Sequence, residues 1–381
     1  MAYQEVMTLD IFSAQARVWE RLSQIRISKQ VGGAYLFSGP AGCGKESLAI
    51  RFAQLLNCET SSEKPCDTCP SCQRFRQLQH EKLKLIFPLP AVRKKKDDGS
   101  GTSSTIGKGD MELVTEAIAK KAEDHFHKIK IPKSTRILIQ SIRELRKTLY
   151  LKSEPNGRKI VLIFDAHLLS VGIGEAANAL LKILEEPKYN TYFILITNQI
   201  SSLLATLRSR CLKFNFEKPS FEGFNKILLF HNDKLKSEEI SFLFDLSNGS
   251  PGLALELFSE DIKDIYSTLL EILSIKESLS TKVINLSTCV SSYSNDQFKI
   301  YISIIKFILI TILKIKAGCN FSNSFRSNIL HSLEKLSSTF DNLICFEILE
   351  YINNNENDLF TYNLDKNIFN LNIFTPLNKI T

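Results

Sequence analysis

A glycine-rich turn set between an apolar run and a helical pattern constrains the fold of this chain more than any other feature. The turn Gly39-Pro-Ala-Gly-Cys-Gly-Lys45 follows the apolar run Ala34–Ser38 and precedes a helical pattern from Glu46 to Leu56. In this context backbone N–H groups and a helix N-terminus can hold phosphate, and the Lys45 ammonium can reach the outer phosphates of a nucleotide. The sequence therefore predicts a strand, a phosphate-binding loop and a helix, in this order.

Two departures from the usual pattern weaken the predicted nucleotide site. The residue after Lys45 is Glu46, where the full pattern has a Ser or Thr whose hydroxyl binds Mg²⁺, and Ser47 comes one position late. The strand Ile160–Asp165 ends on an Asp that would hold the metal, but Ala166 stands where a Glu would orient the attacking water. The sequence therefore predicts poor nucleotide hydrolysis. The alternative interpretation is a tight structural turn that binds no ligand.

Apolar runs alternate with helical patterns through the first half of the chain. Continuous apolar runs are typical of parallel strands buried on both faces, so the alternation predicts a doubly wound α/β domain that ends near Phe216. The predicted strands are Ala34–Ser38, Leu83–Phe87, Ile160–Phe164, Tyr192–Thr197 and Leu212–Phe216, and the helices between them include Glu46–Leu56, Ser141–Tyr150 and Glu175–Leu184. The stretch Arg93–Asp110 is charged and rich in Gly, Ser and Thr, which predicts a mobile insertion at about 91–130.

Helical patterns alone follow Pro219, and 381 residues at roughly 150 per domain leave room for two to three domains. A small helical domain is predicted over 217–261, with helices at Phe221–Phe230, Ser237–Asp245 and Pro251–Phe258. An all-α domain is predicted over 262–381, with helices at Ile262–Ser274, Asp296–Lys316, Asn328–Leu336 and Asn342–Asn353. The Asn-rich tail after Asn353 favours either partial disorder or a last packed helix.

Four of the nine cysteines lie close together in the sequence. The pattern Cys58-x7-Cys66-x2-Cys69-x2-Cys72 offers four soft thiolates, and its two short gaps form the tight turn that lets neighbouring sulfurs face one ion. A closed set of four thiolates predicts a structural, tetrahedral Zn²⁺ module over 58–72 rather than disulfides. Reduced thiols without a metal are the alternative, and the other cysteines are expected to be packing residues.

Membrane and export signals are absent from the sequence. The longest apolar run, Tyr301–Ile315, is interrupted by Lys306 and Lys314 and is shorter than the roughly 20 residues of a membrane span. The segment Met1–Asp10 is polar, unlike a signal peptide. A hydrophobic content of 44% and a net charge of +7 describe a folded chain that can contact nucleic acid without requiring it. We expect a soluble, cytoplasmic protein without a membrane partner.

Further motifs follow in a recognisable order along the first domain. They are Glu175-Ala-Ala-Asn-Ala-Leu-Leu-Lys-Ile-Leu-Glu-Glu-Pro187, Thr197-Asn198 after a strand, and Leu207-Arg-Ser-Arg-Cys211. From about Tyr35 to Gly252, the ordered motifs resemble those of bacterial DNA polymerase III clamp-loader subunits of the AAA+ class. The resemblance implies a RecA-like AAA+ domain with a zinc module over 1–216, a helical lid over 217–261 and a helical collar over 262–381 that joins subunits into a ring.

The resemblance also implies roles for single residues. Arg210 matches an arginine finger, which acts on the nucleotide of a neighbouring subunit, and Asn198 matches the first sensor. The residues implied for a degenerate nucleotide site are Gly39, Gly42, Gly44, Lys45, Ser47, Asp165 and Asn198, and those implied for zinc are Cys58, Cys66, Cys69 and Cys72. The family's own four-cysteine module usually has one more residue in its first gap.

Two kinds of subunit share this layout: the ATP-hydrolysing gamma/tau motor and the delta-prime stator, whose own nucleotide site is degenerate. Glu46, Ala166 and Leu253, which stands where a basic sensor residue is expected, favour the stator. The resemblance then implies a place beside gamma/tau and delta in a heteropentameric ring that loads a sliding clamp on primer–template DNA. It implies no ATPase activity of the chain's own, disfavours Mg²⁺ and leaves binding of ATP or ADP open, with the motor as the alternative.

Overall fold

The computed structural model describes residues 9–28, 33–60, 63–90, 108–150, 157–258, 261–274, 279–319, 327–338, 340–362 and 364–374. Most of the charged part of the predicted insertion, residues 91–107, lies outside the described residues, as does the end of the tail from 375. The described chain divides into two compact units, one of residues 1–230 with 250–252 and one of residues 231–249 with 253–381. The predicted domain boundaries at 216 and 261 stay predictions.

A five-stranded parallel sheet forms the core of the first unit. Its strands are β1 Ala34–Ser38, β2 Leu83–Ile86, β3 Lys159–Ile163, β4 Thr191–Thr197 and β5 Leu212–Asn215, in the order β2-β3-β4-β1-β5. Strand β1 is buried along its whole length, and β3 and β4 nearly so, because helices cover both faces of the sheet. The predicted parallel α/β core is confirmed, with strand ends shifted by a residue at most.

The helices of the first unit pack around this sheet. They are α1 Leu9–Ala14, α2 Ala16–Ile27, α3 Lys45–Leu56, α4 Pro70–Arg76, α5 Lys108–Glu123, α6 Ile139–Tyr150, α7 Glu175–Glu185, α8 Ala205–Ser209 and α9 Phe221–His231. Helix α7 is amphipathic, and its Ala177, Leu180 and Ile183 join the apolar core beside β3 and β4. Helix α3 is buried on almost every side, which fixes the phosphate loop at its start.

The second unit is helical throughout its described residues. Its helices are α10 Ser237–Leu246, α11 Pro251–Leu257, α12 Asp261–Ser274, α13 Leu279–Ser292, α14 Asn295–Lys316, α15 Ser327–Ser337, α16 Asn342–Tyr362 and α17 Lys366–Phe374. The long helix α14 starts at a capping box, in which the Ser294 hydroxyl accepts from the N–H of Gln297. Rings of Phe242, Tyr266 and Phe307 contact one another with centroids 5.2 to 6.4 Å apart. Within the described ranges, each helix is too short or too polar to cross a membrane.

The structure differs from the sequence prediction at the insertion. From Lys108 onward the chain is helical, and Val114 and Lys121 of α5 are buried rather than solvated as in a mobile loop. The physical reason is a long-range ion pair between Lys121 and Glu46, which a local pattern does not show. The prediction of a mobile insertion over 91–130 is therefore wrong for residues 108–130.

Candidate nucleotide site, cysteine cluster and arginine motif

The predicted nucleotide residues meet at the carboxyl edge of the sheet. The phosphate loop follows β1, Asp165 follows β3 and Asn198 follows β4, and these three strands are neighbours in the sheet. Carboxyl ends of parallel strands share one edge, which is where ligands bind in open α/β sheets. The topology thus brings the predicted loop and strand-end residues together.

Hydrogen bonds within the chain hold the phosphate loop in its conformation. Gly44 caps α3 with a φ of 93°, a left-handed conformation that glycine adopts without strain. The Lys45 side chain is buried, and its Nζ donates to the carbonyl oxygen of Pro40 at 2.9 Å. Burial lowers the pKa of Lys45 below its ordinary value. Ser47 is buried in the first turn of α3, and Gly39 donates from its N–H to the carbonyl of Thr197 at 3.3 Å.

Each of the two acidic residues of the site has a lysine partner. The Lys121 ammonium lies 2.5 Å from Oε2 of Glu46, and the Lys128 ammonium lies 3.2 Å from Oδ1 of Asp165. Lys121 comes from α5 and Lys128 from the turn after it, so both belong to the segment predicted as a mobile insertion. Ala166, next to Asp165, is fully buried and offers no group to a water molecule.

A second turn closes on the phosphate loop. The N–H of Gly252 donates to the carbonyl of Gly42 at 2.9 Å, and the Ser250 hydroxyl donates to the carbonyl of Ala41 at 3.0 Å. A Cβ atom at Gly252 would lie 2.8 Å from Cα of Gly42, so only glycine allows this approach. The loop carbonyls are therefore engaged within the chain.

The residue predicted as the first sensor lies at the protein surface, next to a buried threonine. Asn198 is exposed, whereas its neighbour Thr197 is buried. The Thr197 hydroxyl lies 3.2 Å from Nδ1 of His167 and accepts from the N–H of Gln199 at 3.0 Å. Burial lowers the pKa of His167, which favours the neutral ring of a structural histidine.

The four cysteines of the zinc prediction form one cluster. The Sγ atoms of Cys58, Cys66, Cys69 and Cys72 all lie within 4.8 Å of one another. The Cys66 and Cys72 sulfurs are 3.8 Å apart, and a tetrahedron with zinc–sulfur bonds of about 2.3 Å has edges of about 3.8 Å. The residues present therefore fit a zinc ion.

Backbone N–H groups are directed at two sulfur atoms of the cluster. The N–H groups of Cys69 and Cys72 point to the sulfurs of Cys66 and Cys69, at 3.3 and 3.4 Å. Burial alone would raise the pKa of Cys66, but hydrogen bonds from Thr60, Thr68 and the backbone lower it to about 5. Burial raises the pKa of Cys72 above its ordinary value, so a cation is needed to hold all four sulfurs as thiolates.

The cluster is tied to the helix that carries the phosphate loop. The Arg51 guanidinium of α3 donates to both carboxylate oxygens of Asp67 at 2.6 Å, and Gln54 donates to Asp67 at 2.7 Å and to the Cys72 carbonyl at 3.0 Å. Although burial opposes it, Arg51 holds the pKa of Asp67 below its usual range. These hydrogen bonds join the cluster to α3.

The arginine motif lies at the end of α8. Arg210 caps this short helix, and its side chain is 40% exposed. Its guanidinium donates to Oε1 of Glu185 at the end of α7, at 2.7 Å, and to the carbonyl of Thr206 at 3.4 Å. The guanidinium thus lies at the protein surface and is held by one partly exposed carboxylate.

Sequence reasoning missed Lys121 and Lys128. No motif marks either residue, because lysines in a charged stretch are typical of a solvated surface. The signal that the sequence offers is weak: a stretch with several lysines and a helical composition follows the Gly/Ser-rich residues.

Comparisons with known proteins agree with the motifs. The model of the family described as "DNA polymerase III, delta subunit" matches residues 14–220. Two proteins named DNA polymerase III subunit delta' are similar to this chain: that of Escherichia coli, with 38% identity over 63% of this chain and 59% of its own length, and that of Haemophilus influenzae, with 30% identity over 60% of this chain and 55% of its own length. The DNA polymerase III subunit tau of Bacillus subtilis is 27% identical over 67% of this chain and 39% of its own length.

The chain spans a little over half of the length of the delta' relatives named above. A solved gamma subunit-related protein of Thermotoga maritima covers 95% of the chain at 16% identity, with a TM-score of 0.40. The family model matches more than half of the chain, over the sheet, the cysteine cluster and the arginine motif described above. The chain therefore belongs to the DNA polymerase III delta subunit family, and within it the chain is delta'-like.

Proposed function

We propose that the chain is a clamp-loader subunit of the delta-prime kind, a stator that does not hydrolyse ATP and that supplies Arg210 to the nucleotide site of a neighbouring subunit. One observation carries the proposal. The chain keeps an arginine at an exposed helix end, while the two carboxylates of its own candidate nucleotide site, Glu46 and Asp165, pair with lysines of the same chain. These features favour a subunit that supplies an arginine finger over an ATP-hydrolysing gamma/tau motor.

The chemistry of arginine suits this role. A guanidinium stays charged at all physiological pH values and offers a planar fork of donors that matches phosphate oxygens. On a neighbour's nucleotide, Arg210 would neutralise charge that develops as the terminal phosphoryl group departs. Its partner in the isolated chain, Glu185, is itself half exposed, so the guanidinium can leave it at little cost.

The remaining predicted parts fit a ring subunit. We propose a structural Zn²⁺ on the four cysteines, an AAA+ domain over 1–216, a lid over 217–261 and a collar over 262–381. On α16, Leu343 and Phe346 are 67% and 61% exposed, as expected of residues that another subunit covers. The proposed partners are gamma/tau and delta subunits in a heteropentamer, and through that complex a sliding clamp and primer–template DNA.

Assembly tests this proposal. We expect the full chain to co-elute in size-exclusion chromatography with the gamma/tau and delta subunits of its own cell, and native mass spectrometry to find it in the complex. Leu343→Glu with Phe346→Glu should abolish assembly, because two charges would be buried at an apolar interface, whereas Glu350→Gln at another exposed position of α16 should not. Elution of the wild-type chain alone, while the other subunits assemble with one another, contradicts the proposal.

A further inference from the structure

Two lysines of one segment reach the two carboxylates of the phosphate-loop site. Lys121 pairs with Glu46 at 2.5 Å, and Lys128 pairs with Asp165 at 3.2 Å. Glu46 and Asp165 stand where a phosphate-loop domain directs its ligands toward a divalent cation. Each ammonium therefore lies beside a position from which a metal ion would be held.

The Lys121 ammonium is buried and has two polar partners. Its side chain is 0% exposed, and besides the Glu46 carboxylate it donates to the carbonyl of His125 at 2.7 Å. A buried charge is costly unless it is paired and hydrogen-bonded, so removing either partner leaves an uncompensated charge. The pair fastens α5 to the first turn of α3.

Apolar side chains from two segments cover the loop. A Cβ atom at Gly44 would lie 2.5 Å from Cδ1 of Ile11 and 3.5 Å from a ring carbon of Phe126. Ile11 and Phe126 therefore lie directly against the loop backbone at Gly44, the residue that caps the N-terminus of α3. Phe126 comes from the same segment as Lys121 and Lys128, between the two lysines.

We propose that residues 108–131 of the chain itself occupy the phosphate-loop site. The ammonium groups of Lys121 and Lys128 neutralise the carboxylates of Glu46 and Asp165, as a divalent metal ion would. A magnesium–nucleotide complex does not fit the residues present, because it would have to displace both ammonium groups and the side chains over Gly44. The inference goes beyond the role of Arg210: it concerns how the chain keeps its own site closed, and it is tested on the isolated chain, so it can fail while the proposed function stands.

Removal of one counter-cation gives the first test. Lys128 is 38% exposed, so Lys128→Met should leave the fold intact while the Asp165 carboxylate loses its cation. We expect MgCl₂ to raise the thermal midpoint of this variant of the full chain by about 2–4 °C relative to NaCl at equal ionic strength. The wild type and Lys128→Arg should show no such rise. Lys120→Met, which removes an exposed ammonium of α5 paired with Glu116, is the matched control and should behave like the wild type.

A double-mutant cycle tests the buried pair. Lys121→Met and Glu46→Gln should each lower the midpoint, while the double variant should be more stable than the more damaged single variant, since no unpaired charge remains. Two results would overturn the proposal: a rise in the midpoint of the wild-type chain with MgADP or MgATP, or a magnesium response of Lys128→Met equal to that of the wild type.

Discussion

Loss of the proposed zinc ion from the cysteine cluster is expected to unfold the segment around residues 58–80 and to loosen the phosphate-loop helix. Structural zinc contributes about 10–16 kcal/mol of apparent binding free energy in small zinc-finger peptides. A loss of about 3 kcal/mol, a small part of that, lowers the thermal midpoint of a domain of this size by roughly 6–12 °C. We expect at least this effect from Cys72→Ser, because the Cys72 side chain is fully buried and the remaining three ligands cannot close a tetrahedron.

The contacts between the cluster and α3 explain why loss of the metal should also destabilise this helix. Asp67, which lies between Cys66 and Cys69 of the cluster, binds Arg51 and Gln54 of α3. Metal analysis should find one zinc per wild-type chain and much less in Cys72→Ser. Cys319→Ser, an exposed cysteine outside the cluster, should keep both the zinc and the midpoint. Purified wild-type protein with well under one equivalent of zinc and four freely titratable thiols would refute the metal site.

Arg210→Ala is expected to slow ATP turnover at the neighbouring site by about 10³–10⁵, or about 4–7 kcal/mol of transition-state stabilisation. The local ion pair between Arg210 and Glu185 is partly exposed and is worth only about 0.2–1 kcal/mol. The gain at the transition state exceeds this cost, so the guanidinium is expected to leave Glu185 in the assembled complex. Fold and assembly should be unchanged, because the side chain is 40% exposed and its hydrogen bonds go to the partly exposed Glu185 and to the Thr206 carbonyl.

DNA-stimulated turnover and clamp loading of the rebuilt complex measure this effect. Arg210→Lys should not restore the rate, because an ammonium lacks the planar donor fork. Glu185→Gln should retain it, because that change only frees the guanidinium. Unchanged turnover in a complex that contains Arg210→Ala would leave the chain a structural ring member without a finger.

The sequence predicted the sheet well because its signals are local. Strands β1, β3 and β4 are continuous apolar runs between turn residues, and burial on both faces demands such runs. The helix α16 was predicted to end at Asn353 but continues to Tyr362, because Ile352 and Leu359 are buried and tertiary packing overrides a run of poor helix formers. The helix α13 was missed, since its Ser- and Thr-rich sequence shows a weak apolar period.

The motifs of the candidate site can be recognised in the sequence, whereas the partners of their side chains cannot, and the role of these residues in nucleotide binding stays a prediction. The sequence singles out the glycines, Lys45 and Asp165 because their spacing follows from the turn between a strand and a helix. The partners Lys121 and Lys128 depend on a contact between distant parts of the chain, and the pairing of Arg210 with Glu185 joins two helix ends. Local patterns carry no information on such pairs.

Steady-state ATP turnover by the purified chain tests the proposed stator role most directly. We expect turnover no faster than that of a blank, with or without primed DNA, because Glu46 and Asp165 are paired to lysines and Ala166 offers no base. Robust turnover by the wild-type chain that Lys45→Ala abolishes would contradict the account and would establish the chain as an ATP-hydrolysing motor.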